Sequence, residues 1–265
     1  MLSLLPAYLL MGALAGFLAG LLGIGGGLIL VAALVWVLPQ QGVPESAVMH
    51  VALATSLASI VFTGLSSARA HWKRGSILWR SGGRLIPGVV LGGLLGGQVA
   101  ARLDGDWLRY GVAAFCVGAA LQLLLGGPKV SDARREPLTA WLWPAGLLIG
   151  LISALVGIGG GSMTVPLLIA LGATPVRAVG TSAACGVVIG LASALSYGWS
   201  APADLAMPSG SLGYIYLPAT LLIAMASVFA APHGVSLAHR LPGAQLQRVF
   251  AALLLLVAWQ LVFLR

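Results

Sequence analysis

The chain has 265 residues, 59% of them apolar, and only 14 Lys and Arg against 6 Asp and Glu; its mean hydropathy is +1.02. A soluble domain carries roughly a quarter charged residues, so this composition excludes a soluble enzyme, a disordered chain and a disulfide scaffold, and the solvent of most of the surface is lipid. The net charge of +8 reads as loop charge that sets topology, with no nucleic-acid partner. Cys116 and Cys185 both lie in apolar runs and read as buried thiols, not as a disulfide or a metal pair.

Eight apolar segments follow one another, at 4–38, 46–68, 84–101, 107–126, 138–171, 177–198, 212–232 and 246–264. Six approach the ~20 residues that cross a bilayer as a helix. The first and fifth are far longer, and the same pentapeptide, GIGGG, interrupts each. The stretch from Met1 to Gly20 lacks a basic leader and is not read as a signal peptide. The longest polar stretches are 69–84 and 127–137.

The chain repeats itself. The two GIGGG runs, Gly23–Gly27 and Gly157–Gly161, stand 134 residues apart. Ala47-Val48 precedes Thr55-Ser56 as Ala178-Val179 precedes Thr181-Ser182. Gly64-Leu65 lines up with Gly190-Leu191, Ile86-Pro87 with Leu217-Pro218, and Arg102-Leu103 with Arg240-Leu241. Two halves are therefore expected, 1–130 and 131–265, together forming one membrane domain. Internal duplication is a common feature of secondary transporters.

Loop charge predicts how the halves are oriented. The loop 69–84 holds Arg69, Lys73, Arg74, Arg80 and Arg84, whereas its counterpart 199–211 holds no basic residue and contains Asp204. By the positive-inside rule the first is cytoplasmic and the second external. The turn near 102–109 offsets Arg102 and Arg109 with Asp104 and Asp106, while 239–248 has Arg240 and Arg248 with no acid. Corresponding loops fall on opposite sides, so the repeats should be inverted. Inversion needs an odd number of crossings per half. Each broken segment must then enter and leave on one side, as a hairpin beside three spanning helices. The basic residues Lys129, Arg134, Arg135 and Arg177 flank segment five and place its ends inside. Both chain termini are expected outside.

A glycine break in a membrane helix frees backbone N–H groups that need partners, and the start of the following half-helix suits an anion. Two such starts meeting near the midplane would form a site of the kind inverted-repeat transporters use. The competing reading is close helix packing, which serves glycines such as Gly92, Gly93, Gly96 and Gly97. The expected substrate contacts are Gly25, Gly26 and Gly27 in the first half, and Gly159, Gly160, Gly161 and Ser162 in the second. Thr55, Ser56, Thr181 and Ser182 add hydroxyls at matching places inside apolar spans; back-bonding to the i−4 carbonyl is their alternative use. Leu28 and Leu30 stand where the second half has Ser162 and Thr164, so the site is chemically asymmetric. His50, near the start of the second span, is a proton-sensitive contact or an interfacial histidine. Trp72, Trp79, Trp107, Trp141, Trp143 and Trp199 flank spans as an interface belt.

The sequence has no HExxH, CxxC or GxSxG motif, and GIGGG lacks the strand that a dinucleotide fingerprint requires. No enzyme, metal or cofactor is expected. Paired GIGGG breaks in duplicated halves, each followed by a Thr-Ser span, resemble the TauE/SafE sulfite exporter family of membrane permeases. The run His50–Leu57 and Arg69-Ala70-His71 with its basic loop are similar to it as well. Pro166 matches the proline that follows the break in that family, whereas Ala32 occupies the first-half position. The resemblance covers nearly the whole chain. It implies a multi-pass permease of the bacterial inner membrane that carries sulfite, a sulfonate or a related small sulfur anion. The residues alone reach an all-α, polytopic anion transporter working by alternating access, with an anion channel or a non-transporting scaffold or sensor as alternatives. The lipid bilayer is its other partner, and an exposed glycine-rich face would serve a homodimer.

Overall fold

A computed structural model describes residues 4–22, 26–125, 136–202, 205, 207–238 and 243–263. The protein is all-α and polytopic. Its helices are α1 (Leu5–Leu22), α2 (Gly27–Val37), α3 (Val48–Lys73), α4 (Trp79–Ala100), α5 (Gly105–Leu124), α6 (Leu142–Val156), α7 (Gly161–Ala170), α8 (Pro175–Ser200), α9 (Leu217–Ala238) and α10 (Gly243–Phe263). A two-residue antiparallel hairpin, β1 (Ser211–Leu212) with β2 (Ile215–Tyr216), precedes α9. Helices α1 to α5 have 18, 11, 26, 22 and 20 residues, and α6 to α10 have 15, 10, 26, 22 and 21.

Among the described residues, five helical stretches are long and apolar enough to cross a membrane: Glu45–Lys73, Trp79–Ala100, Gly105–Leu124, Pro175–Ser200 and Leu217–Leu237. The long apolar segments one and five are each two short helices, as their glycine breaks predict. Local sequence sets the ends. Pro175 opens α8 at a position that needs no N–H, after an extended Thr174. Gly75, at φ 65°, follows α3 and turns the chain toward α4.

Helices α3 and α8 form the centre. Buried residues make up 78% and 67% of their apolar stretches, against 28% for α5, which packs on α10 at the periphery. The outside is ringed by exposed Leu65, Leu121, Leu195, Phe229 and Leu256, a surface suited to lipid. All six tryptophans named above are exposed at or beside helix ends.

Close glycine contacts fix helix directions. Gly12, Gly16 and Gly20 of α1 lie in order against Ile223, Ser227 and Ala231 of α9, so these helices run parallel. Gly88, Gly92 and Gly96 of α4 lie likewise against Trp143, Leu147 and Leu151 of α6. Such faces let backbones approach where no hydrophobic drive exists between helices in lipid. Helix α4 also runs parallel to α8, with Gly82, Gly93 and Gly97 beside Thr181, Ser193 and Ser196. Helices α3 and α8 cross antiparallel, with Gly64 at Val187 and Gly190 at Leu57.

The two ends of the bundle differ in charge. One end gathers the loop after α3 with the segment before α6. Arg74 donates to the Ser236 hydroxyl, the Arg80 and Ser81 amides donate to Glu136, and Arg84 donates to the Leu138 carbonyl. We refer to it as the basic face. The opposite face gathers the start of α3, the α4–α5 turn and the hairpin. There His50 meets Leu103, Gln98 meets Ser200 and Tyr216 meets Gln41.

Candidate functional site

Both short helices after the breaks start from a left-handed glycine. Gly26 (φ 65°) is the N-cap of α2 and Gly160 (φ 72°) that of α7. This region excludes side chains with a Cβ at small cost. The amides of Met163 and Thr164 already bond to the Gly160 carbonyl at 3.2 and 2.8 Å. Those of Gly161 and Ser162 precede the first helical bond of α7 and point out of its start. Gly25 lies outside the described residues.

The breaks touch. A Cβ at Gly27 would overlap the Gly157 carbonyl oxygen. The Ser56 hydroxyl lies between them, 3.1 Å from the Gly27 carbonyl oxygen and 3.0 Å from that of Gly157. Gly186 of α8 closes on Gly159 from the far side, where a Cβ would stand 2.9 Å from the Gly159 oxygen. Gly26, Gly27, Ser56, Gly159, Gly160 and Gly161 are thus brought into one region in the middle of the α3–α8 crossing. A small cavity borders it, with Gly159 and Ser182 in its wall and no charged side chain. The hydroxyl oxygens of Ser162 and Thr164, just after the second break, are buried without a protein partner. Neutral donors and the starts of two short helices are therefore what the region offers a ligand.

Thr55 and Thr181 lie on either side of this region, toward opposite faces, and both are engaged. Thr55 Oγ1 accepts the Tyr216 amide at 3.1 Å, and Thr181 Oγ1 accepts the Leu78 amide at 2.8 Å while donating to the Arg177 carbonyl. Each threonine thereby pins a short buried segment that leads into a long helix. These segments are Tyr214–Tyr216 on the opposite face and Ser76–Leu78 on the basic face, all six residues being buried.

His50 stands apart from the breaks. It is buried at the floor of a vestibule of about 720 Å³ on the opposite face, whose wall includes Trp36, Arg102, Asp104 and Arg109. Its Nε2 donates to the Leu103 carbonyl at 2.9 Å, and its ring stacks on Tyr214 at 5.0 Å. Tyr214 meets the edge of Tyr197 at 6.3 Å, and Tyr197 donates to the Ala154 carbonyl of α6 at 3.1 Å. Burial pushes the Tyr214 phenol up, so it stays a neutral donor at physiological pH. This aromatic column runs from the vestibule wall to α6.

Sequence reasoning missed Tyr197, Tyr214 and Tyr216. A signal for the last two was present. The threonine bonds pair Leu78 with Tyr216, 138 residues apart. The same spacing relates Arg102-Leu103 to Arg240-Leu241, although 240 and 241 lie outside the described residues. The alignment of Ile86-Pro87 with Leu217-Pro218, at 131, is seven residues out of step with those bonds. Leu217-Pro218 opens α9, whereas Pro87 lies inside α4.

Comparisons with known proteins agree with this architecture. Residues 8–261 match the family model described as sulfite exporter TauE/SafE. A probable membrane transporter protein of Haemophilus influenzae is 43% identical over 255 residues, covering 94% of this chain and 95% of that protein. Probable membrane transporter proteins of Methanocaldococcus jannaschii and Bacillus subtilis are 26% and 24% identical, each covering 96% of this chain. No solved structure matches. Together with the polytopic all-α fold, these matches establish that the chain is a membrane transporter belonging to the sulfite exporter TauE/SafE family.

Proposed function

We propose that the protein carries a small anion, sulfite or an organosulfonate, across the inner membrane by alternating access between two inverted repeats, 1–130 and 131–265. The observation that carries this reading is the contact of the two glycine breaks, bridged by Ser56 between the central helices. The substrate class comes from the family description. In this reading the anion binds at the starts of α2 and α7. Amides of Gly25–Gly27 and Gly159–Gly161 receive it, with the hydroxyls of Ser162 and Ser182, while Ser56 holds the two breaks together. Neutral donors hold a monoanion weakly enough to release it, as a carrier requires.

The helix directions support the repeats. Helix α1 pairs with α9 as α6 pairs with α4, and α3 crosses α8 antiparallel. Alternating access then has two gates. The outer is Tyr214–Tyr216, pinned by Thr55 and stacked on His50; the inner is Ser76–Leu78, pinned by Thr181. The reading places both termini outside and the basic face in the cytoplasm. An inside-negative potential expels anions by about 2.3 kcal/mol per charge per 100 mV, so export needs no co-ion and uptake does.

Counterflow in proteoliposomes tests this reading. Liposomes preloaded with unlabelled sulfite should transiently accumulate labelled sulfite above equilibrium. Equilibration without overshoot would replace the carrier with a channel, and absence of flux for sulfite, sulfoacetate, taurine and toluenesulfonate would remove the substrate assignment.

A further inference from the structure

The helical hydroxyls of α3 are nearly all occupied. Ser59 and Thr63 bond to carbonyls one turn back, at 2.8 and 3.0 Å, and Ser66 donates to the Val228 carbonyl of α9 at 2.8 Å. Ser67 is the exception. Its side chain is 1% exposed, and its hydroxyl oxygen is buried without a partner. A buried hydroxyl with no partner is uncommon in native proteins and calls for a reason.

The reason is the cavity beside it. A space of about 10 Å³, close to what one water needs, lies between α1, α3, α8 and the second break. Ser67, Ser182, Gly159, Gly64, Gly186 and Ala19 are in its wall. Two of the glycines leave little room for a side chain. A Cβ at Gly186 would meet the Gly159 oxygen at 2.9 Å, and one at Gly64 would meet Val187 at 3.1 Å. The space therefore exists because side chains are withheld around two hydroxyl-bearing residues. It lies on the basic-face side of the contact between the breaks, since Ser67 is eleven residues beyond Ser56 on α3, or about 16 Å along a helix. No charged group lines it, so no carboxylate is present there to repel a negative ligand.

We propose that Ser67 is a substrate-binding residue on the basic-face side of the central site. Its O–H donates to one oxygen of an oxyanion that passes between α3 and α8. The inference rests on the permease reading above and extends it to a residue outside the glycine breaks and the Thr-Ser pairs. In the closed arrangement the cavity takes a single oxygen-sized group. When the inner gate opens, parting of α3 and α8 gives the rest of the anion room. Ser193 stands twelve residues beyond Thr181 as Ser67 stands twelve beyond Thr55, and its hydroxyl is equally buried without a partner. Its hydroxyl lies beside Gly93 of α4, away from the α3–α8 passage, and is not part of this site.

The test is Ser67→Cys in membrane vesicles of both orientations, with methanethiosulfonate ethylsulfonate as an anionic, water-borne thiol probe. Cys116 and Cys185 are buried, so the unsubstituted protein supplies the blank. The expected result is modification from the basic face, slowed at least fivefold by saturating sulfite or toluenesulfonate. Ser67→Ala should raise KM for the transported anion about tenfold, the loss of a hydrogen bond to a charged ligand, with kcat changed less than twofold. A cysteine at 67 that resists the probe from both faces in folded, transporting protein overturns the proposal. So does modification that no anion slows. Failure of the wider reading looks different. Absence of counterflow by unsubstituted protein, with the cysteine still protected by an anion, would remove the permease function and leave Ser67 as an anion site.

Discussion

The hydroxyl of Ser56 lies 3.0 Å from the carbonyl oxygen of Gly157, although the two residues are 101 positions apart in the chain. The same hydroxyl lies 3.1 Å from the Gly27 carbonyl, so one side chain of α3 ties both breaks to the centre of the bundle. Ser56→Ala removes a side-chain donor that reaches both carbonyls. A lost buried hydrogen bond of this kind costs about 1–2 kcal/mol, which lowers Tm by about 2–8 °C in a chain of this size. Thermal unfolding in detergent should show that drop. Counterflow should fall at least tenfold, because the breaks no longer keep register. Unchanged flux with a lowered Tm would make Ser56 a purely structural residue.

Gly27 provides a sharper test of the break contact than the capping glycines. Gly26→Ala and Gly160→Ala each put a Cβ on a left-handed residue that also crowds its neighbours, so they probe folding before function. Gly27 has ordinary helical geometry as the first residue of α2, and its obstacle is the opposite break. Gly27→Ala should cost about 1–3 kcal/mol as an overpacking change. It should also reduce the monodisperse fraction in size-exclusion chromatography. Gly118→Ala is the control. Gly118 lies on α5 with nothing within 4 Å of an added Cβ, and this variant should stay within about 0.5 kcal/mol of wild type. Equal loss in both variants would mean that glycine is needed for the helices in general and not for this contact.

The gate assignment predicts side-specific effects from two matched threonines. Thr181→Val leaves the Leu78 amide without its acceptor, and Thr55→Val does the same to the Tyr216 amide. An orphaned buried amide costs about 1–3 kcal/mol, enough to loosen a three-residue segment while the helices stay packed. With Ile77→Cys as a reporter, Thr181→Val should accelerate thiol labelling from the basic face. With Ile215→Cys, Thr55→Val should do so from the opposite face. Each valine should leave the other reporter unchanged. Acceleration of both reporters by either variant would argue against separate gates.

Much of this was legible in the sequence. Composition gave the membrane fold, and the duplicated GIGGG gave the two broken segments, because glycine runs inside apolar stretches have few other physical uses. Matched placement of the glycine breaks and of the Thr-Ser pairs in the sequence is what directed attention to Gly27, Ser56 and Gly159. The working partners of Thr55 and Thr181 were not legible. Their acceptor role depends on where the chain before α9 and α4 returns to the core, and no local pattern near either threonine encodes that return. His50 was read as a proton-sensitive contact or an interfacial histidine, and its stack on Tyr214 was not legible, because it joins positions 164 residues apart through a loop whose charges say nothing about aromatic packing. Ser67 was passed over for a similar reason. A serine in an apolar span ordinarily bonds its own helix, and nothing near Ser67 in the sequence marks it as one that does not.

Glu136 gives the last prediction, and it concerns how the segment before α6 is joined to α4. Its carboxylate accepts the amides of Arg80 and Ser81 at 2.9 and 3.0 Å, where α4 begins. The Ser81 hydroxyl donates to the Pro137 carbonyl at 2.7 Å, and Arg84 donates to the Leu138 carbonyl. A segment just ahead of α6 thus caps the start of α4. Removing a capping oxygen costs about 0.5–2 kcal/mol, so Glu136→Ala should lower Tm by a few degrees. Glu136→Gln keeps an oxygen to accept the amides and loses only the charge at the positive helix start, worth about 0.3–1 kcal/mol. That smaller deficit is electrostatic and near the surface, so raising the salt to 1 M should shrink it, whereas the alanine deficit should persist. If both variants lose the same stability at every salt concentration, the carboxylate acts through packing of residues 136–138 and not as a cap.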